Sequence, residues 1–178
     1  LKDGALAVGT VSARLAGQAL VSNGAVQCLE LAAAASATGF ADIRFDVGAR
    51  FAAKNSTCAW SDGTAATYPS QTFAARLTNG AVTVGQQSVT LSGDATVADA
   101  KVTCASLEAA GAVSITLANT SFAVDAHYAA AGASCPWSPD PAPSNTFTLA
   151  LAGDITVDNT SHALTGDATL SAGAVRCA

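Results

Sequence analysis

The sequence contains no methionine, few charged residues and few aromatic residues. Charged residues make up 12% of the 178 residues and aromatic residues 6%, whereas about 25% of an ordinary domain is charged. A ribosomal product starts with methionine, so its absence predicts that a leader peptide has been removed. We therefore expect an extracellular or cell-surface protein whose five cysteines form disulfides, because disulfides persist in oxidising compartments.

Basic charge is scarce, and long apolar runs are missing. Eight Lys and Arg residues stand against thirteen Asp and Glu residues, which gives a net charge of −5. Binding to nucleic acid needs a basic patch that neutralises phosphates, so we expect no nucleic-acid partner. No run of about 18 apolar residues occurs, and the sequence therefore predicts no transmembrane segment.

Motifs that carry chemistry are missing too. The sequence has no glycine-rich phosphate loop, no calcium loop and no G-x-S-x-G motif. The cysteines are spread widely along the chain and form no closely spaced pair, which argues against a zinc site. His127 follows Asp125 on one strand face, but nothing identifies a nucleophile, and His162 stands alone. We expect no cofactor, no metal and no enzyme activity, with a small secreted hydrolase as the third-ranked alternative.

What the sequence does contain is an internal repeat. Three segments of equal length align without a gap: Gly4–Cys28, Gly80–Cys104 and Gly153–Cys177. They share glycines, alternating apolar residues and a final cysteine, and we call each of them a tail. Their cysteines recur at nearly equal intervals along the chain. A period of about 75 residues suits a unit of several strands.

Two longer segments, which we call heads, separate the tails. Residues 29–79 and 105–152 match each other with small length changes, and both contain a Cys-x-Trp motif. The chain thus reads tail, head, tail, head, tail. We divide it into an extra N-terminal tail (1–28), which could cap the chain or exchange strands, a first repeat (29–104) and a second repeat (105–178).

The apolar residues of both heads and all tails alternate with small or polar residues. Ile43, Phe45 and Val47 form one such run, and this period of two predicts half-buried β-strands. Alanine is the best helix former, so Leu31–Ala37 could form a short helical turn. The period of two in the apolar residues outweighs the helix propensity of alanine. The sequence predicts an all-β protein of antiparallel strands in two sandwich-like repeats, with a single closed sheet built from both repeats as the alternative.

The cysteines follow the repeat, which leaves two symmetric pairings open. Either Cys28 joins Cys58 and Cys104 joins Cys135, or Cys58 joins Cys104 and Cys135 joins Cys177. Each bridge would close a loop of some tens of residues. The fifth cysteine, Cys177 or Cys28, would bridge to another subunit or stay a buried free thiol.

The aromatic residues of the loops are the best candidates for contact with a ligand or partner. Trp60, Trp137 and Tyr68 follow or lie near the head cysteines, and an exposed tryptophan can stack on a sugar ring. The favoured interpretation is structural: each tryptophan packs beside a disulfide, as in other β-sandwich cores. Three sequons permit glycosylation, at Asn55, Asn119 and Asn159.

The numbers of heads and tails do not match. Either the extra tail caps its own chain, as terminal repeats do, or it leaves an unpaired strand for the next subunit. Strands that carry small uncharged residues and few lysines lack the usual protection of sheet edges. We therefore expect a secreted structural subunit that self-assembles into extracellular filaments or a surface layer by strand addition. The alternative is a secreted binding module that takes a glycan or apolar ligand through the Trp60 and Trp137 loops.

Overall fold

The chain folds into β-strands joined by short turns. The computed structural model describes residues 4–115 and 118–177, and it contains no helix within these ranges. The strands, in chain order, are β1 Gly4–Val8, β2 Val11–Ser22, β3 Ala25–Ala37, β4 Asp42–Ala52, β5 Ser56–Ala59, β6 Ala65–Tyr68, β7 Thr72–Val84, β8 Gln87–Ala98, β9 Lys101–Ile115, β10 Ala118–Ala129, β11 Thr146–Val157, β12 Thr160–Ser171 and β13 Ala174–Cys177.

Eleven of these strands form one antiparallel sheet. Its order is β1-β2-β3-β4-β7-β8-β9-β10-β11-β12-β13, while β5 and β6 form a separate hairpin. The expected all-β antiparallel class is confirmed. Strands from both heads and all three tails lie side by side in the sheet, so the layering expected of sandwich-like units is confined to small segments over one face. Across the described residues, β1 and β13 end the sheet without pairing to each other, so it is open rather than closed.

The alanine-rich segment Leu31–Ala37 belongs to strand β3, not to a helical turn. It pairs along its length with both β2 and β4. Hydrogen bonds to two neighbouring strands satisfy its backbone groups, and this gain exceeds alanine's modest intrinsic preference for a helix. The alternating pattern was the better guide to this segment.

The cross-strand register separates the charges from the large apolar residues. Residues that pair across strands point to the same face, and successive residues point to opposite faces. One row of partners runs from Gln18 through Glu30, Arg50, Ala74 and Thr96 to Cys104 and Ala129. We call this side the capped face, since it carries both disulfides. Every Asp, Glu, Lys and Arg residue of the described strands lies on it: Arg14, Glu30, Asp42, Arg44, Asp46, Arg50, Arg76, Asp94, Lys101, Glu108, Asp125, Asp154, Asp167 and Arg176.

The other side, which we call the apolar face, carries the large hydrophobic residues. One row of partners on this face runs Leu77, Gly93, Leu107, Ala126 and Leu149. A second row runs from Phe51 through Phe73 to Val97. Register shifts at Leu77/Gly80 and Thr96/Val97 absorb extra residues, which keeps the alternation in phase along the strands.

Within the described part of the chain, no second layer covers the apolar face, and little of the surface is buried. Leu107 is 50% exposed and Phe73 is 43% exposed. The accessible surface is 11408 Å², whereas a compact monomer of 17.4 kDa exposes roughly 7,900 Å² by the usual scaling. The described residues that are truly buried cluster around the two disulfides, with Gly80 and Ala81 apart from them. These residues form two small packed centres and no continuous core.

Glycines at one position of the three tails reveal how closely neighbouring strands approach. A Cβ atom added to Gly17 would lie 2.7 Å from the carbonyl oxygen of Glu30, and one added to Gly93 would lie 2.5 Å from that of Ser106. The same atom on Gly166 would meet nothing within 4 Å, because β13 pairs only with the end of β12, from Ala168 to Ser171. The space beside a glycine at this position therefore distinguishes the two cases. It is filled where a full neighbouring strand is present and open where one is not.

We predict that Gly93→Ala destabilises the fold by about 1–3 kcal/mol, the range for overpacked sites. Gly166→Ala should leave the stability of a single chain nearly unchanged, since its added methyl group has room. Urea denaturation of both variants, followed by circular dichroism, measures the difference. Equal stability of the two variants would contradict the close approach of β9 to Gly93.

Candidate functional site

The first packed centre, which we call the first cap, lies where the β5–β6 hairpin folds over the capped face. A disulfide joins Cys28 of β3 to Cys58 of β5, so the first of the two symmetric pairings is present. Trp60 is only 6% exposed beside this bridge. Its indole N–H donates a hydrogen bond of 3.0 Å to the Tyr68 hydroxyl, and the two rings meet edge to face. Trp60 and Tyr68 thus pack with each other.

A cluster of charged groups covers the outer side of Trp60. The Arg50 guanidinium lies 5.1 Å from the centre of the Trp60 ring, within the range of a cation–π contact. The same guanidinium bonds to the carboxylates of Glu30 and Asp62, each at 2.8 Å. Glu30 also accepts a hydrogen bond from the Ser61 backbone N–H at 2.9 Å. The cluster ties the loop after β5 to strands β3 and β4.

The hydrogen bonds of this cluster favour the charged carboxylates. Partial burial raises the pKa of Glu30, but hydrogen bonds from Ser61, Arg50 and Gln18 together outweigh it, so that its pKa lies below the ordinary value. Hydrogen bonds from Thr64 and Arg50 lower the pKa of Asp62 strongly. A carboxylate whose folded pKa is lowered stabilises the fold above its unfolded pKa and loses that effect as the pH falls. The cap should therefore loosen in acid.

The second cap is formed by the loop from residue 130 to residue 145. Its disulfide joins Cys104 of β9 to Cys135, and Ala129 is buried against it. Trp137 is half-buried and stacks on His127, with ring centres 4.8 Å apart. The nearest carboxylate oxygen of Asp125 lies 2.8 Å from His127 Nε2. The His127 Nδ1 atom has no hydrogen-bond partner among the described residues.

The two caps border a groove on the capped face, with a volume of about 570 Å³. Small residues of β4 and β7 form its floor, among them Gly48 and Ala74. Charged side chains line it on both sides, including the hydrogen-bonded pair Arg76 and Asp94. Trp137 contributes to its wall, whereas Trp60 does not. The groove offers one aromatic surface and several charged groups that already have partners.

Cys177 differs from the other two tail cysteines in register. Cys28 and Cys104 each follow a register shift that turns them onto the capped face. Cys177 pairs directly with Ala168 without such a shift, so it lies on the apolar face. Its thiol is free and exposed, so it is not the buried thiol that was one of the two expectations.

The remaining candidates from the sequence lie apart from one another. The sequon residues Asn55, Asn119 and Asn159 are all exposed, which leaves glycosylation a prediction. His162 is an exposed residue on the apolar face, opposite Ile155. Along the parts of the chain that the structure describes, no three potential ligands cluster to hold a metal ion. The same residues include no helix with the length and apolar character needed to cross a membrane.

Sequence reasoning missed the charge cluster around Arg50. Glu30, Arg50 and Asp62 are far apart in the sequence, and only the pairing of β3 with β4 brings the first two together. A signal for part of it existed. Glu30 lies two residues after Cys28, and Arg50 lies two residues before Ala52. Alternation along a strand therefore already places Glu30 on the same face as Cys28, and Arg50 on the same face as Ala52.

Comparison with family models, with curated proteins and with solved structures finds no match for this chain. Its function is therefore inferred from its own residues and geometry.

We predict different effects for the two tryptophans. Trp60→Ala should destabilise the protein by about 3–5 kcal/mol, as loss of a buried aromatic ring does. Trp137→Ala should cost less, about 1–2 kcal/mol, because the ring is half-exposed at the groove. Thermal melting of both variants under oxidising conditions provides the comparison. A larger loss for Trp137→Ala would contradict the assignment of Trp60 as the more deeply packed residue.

Proposed function

We propose that this protein is a secreted structural subunit that self-assembles into extracellular filaments or a surface layer by strand addition between subunits. Two disulfides and the absence of a membrane-spanning helix among the described residues are compatible with an extracellular location. The observation that carries the proposal is the outer edge of β12, where no described residue pairs with the stretch from Thr160 to Asp167.

Natural sheets avoid pairing with other chains through lysine, proline or bulges at their edges and through very short edge strands. β1 and β13 are short, with five and four residues, but the open stretch of β12 lacks the other features. The stretch Thr160–Asp167 contains no proline, lysine or arginine, and its titratable side chains are His162 and Asp167. At the opposite edge of the sheet, β1 (Gly4–Val8) has no charged residue. Both edges are therefore suited to accept or supply a strand.

The internal repeat provides a template for the added strand. β8 is the counterpart of β12, and its residues Ser88–Gly93 pair with β9 from Leu107 to Ala112. In the third tail, the described residues of β13 pair with Ala168–Ser171 of β12, and none of them pairs with the corresponding stretch. We propose that β1 of the next copy pairs there. Such a contact joins two different edges, so it repeats from copy to copy and generates a filament.

Gly166 allows a direct test of strand addition. In β8 the equivalent Gly93 is crowded by the backbone of β9, so an added strand should crowd Gly166 in the same way. We predict that Gly166→Ala raises the critical concentration for assembly at least about tenfold, equivalent to about 1.4 kcal/mol, while the melting temperature of the unassembled chain stays unchanged. Light scattering and negative-stain microscopy measure assembly.

A matched pair of variants controls for the effect of added charge. Ala163→Lys puts a lysine on the open edge strand, and Thr90→Lys puts one at the equivalent position of β8, inside the sheet. Only Ala163→Lys should suppress filaments, because charge protects an edge and not an interior strand. A wild-type protein that forms no filaments at high concentration under oxidising conditions would refute the proposal. So would a Gly166→Ala variant that assembles normally.

The groove favours one second candidate, a binding module for a glycan. Trp137 lines the groove, and an aromatic ring beside charged hydrogen-bonding groups is suited to stack on a sugar. Trp60 fits this role less well than Trp137, because it is buried and contacts Tyr68 and Arg50. In this case Trp137→Ala would abolish retention on an immobilised glycan, and Trp60→Phe would not.

A further inference from the structure

We infer that the apolar face is covered in solution by the apolar face of a second copy, so that two sheets form a two-layer sandwich. This contact involves the face of the sheet, whereas strand addition involves its edges, and either can hold without the other.

The area of exposed surface calls for a second layer. The chain exposes 11408 Å², which exceeds the roughly 7,900 Å² expected for a compact monomer of its mass by about 3,500 Å². A standard stable interface buries about 800 Å² on each partner. The missing layer is thus several times larger than the minimum for a specific contact. β-sheets with one apolar face normally bury it against another sheet or helices.

The charge distribution selects the apolar face and not the capped face. All charged residues of the described strands lie on the capped face, together with both disulfide caps. Bringing two apolar faces together therefore desolvates no carboxylate, ammonium or guanidinium group on these strands. The charged faces of both copies remain in water on the outside, with the two sheets about 10 Å apart.

The arrangement of large and small side chains on the apolar face suits contact with the same face of a second copy. Along the central row, Leu77, Leu107 and Leu149 alternate with Gly93 and Ala126. Adjacent strands are about 4.8 Å apart, so a large side chain stands beside a hollow at each step. Two such rows can interdigitate, with the leucines of one sheet over the small residues of the other. A two-fold axis then makes the contact self-complementary.

A lipid surface fits these features less well. Proteins that lie on membranes usually combine an apolar surface with basic residues that attract anionic headgroups. This chain has a net charge of −5 and only eight basic residues, and those on the described strands are on the capped face. A second copy needs no such basic rim, so we commit to it as the occupant.

The test uses one charge on each side of the same strand. Leu107→Glu places a carboxylate in the centre of the apolar face, at a residue that is 50% exposed in the single chain. Ala110→Glu places one three residues away on the capped face, at an exposed position. Both variants are made in the Ala163→Lys background, which suppresses strand addition and leaves the apolar face unaltered because Ala163 lies on the capped face, so that a discrete dimer is measured separately from filaments. Near-ultraviolet circular dichroism of the caps verifies folding.

Sedimentation equilibrium should give a dimer for the parent and for Ala110→Glu. Leu107→Glu should raise the dissociation constant at least about a hundredfold, because an unpaired charge would be buried at the contact. A monomeric parent, or a Leu107→Glu variant that dimerises like Ala110→Glu, would overturn the inference. Binding of a monomeric parent to phosphatidylcholine vesicles, lost in Leu107→Glu, would also overturn it and identify lipid as the occupant.

Discussion

The segregation of charge onto one face of a single sheet is the constraint on which the rest of the structure depends. Successive side chains of a strand point to opposite faces, so a sequence that keeps its charges in one phase creates one face without any charge. Bulges at Leu77/Gly80 and Thr96/Val97 preserve that phase where extra residues occur. The result is a sheet whose capped face carries charged groups that are well hydrated, and whose apolar face exposes hydrophobic side chains to water.

The disulfide caps explain how such a sheet holds local order without a continuous core among the described residues. Each cap joins an interior strand of the sheet, β3 or β9, to a segment that folds over the capped face. In the first cap, Trp60 fills the space beside the bridge and Arg50 closes it from outside. These centres lie on the side opposite the apolar face. Packing inside the chain and contact between chains therefore use different surfaces.

The sequence predicted the strands and their faces better than the way in which they are arranged. Alternation at Ile43, Phe45 and Val47 was sufficient to predict β-structure, even against the alanine-rich Leu31–Ala37. It could not predict one open sheet instead of sandwich-like units, since a half-buried strand has the same period in both. The two cysteine pairings were equivalent by the repeat, and only the approach of Cys58 to Cys28 distinguishes them. Contacts such as Arg50 with Asp62 depend on a loop conformation that no period encodes.

Hydroxyl-radical footprinting of the unmodified protein tests most directly whether the apolar face is covered. Phe73 and Phe147 lie on that face and are 43% and 40% exposed in the single chain, whereas Phe40 lies in a turn and is 93% exposed. If another copy covers the face, both phenylalanines should be almost unreactive, while Phe40 reacts freely. Reaction of Phe73 and Phe147 at about half the rate of Phe40, in proportion to these exposures, would contradict the account.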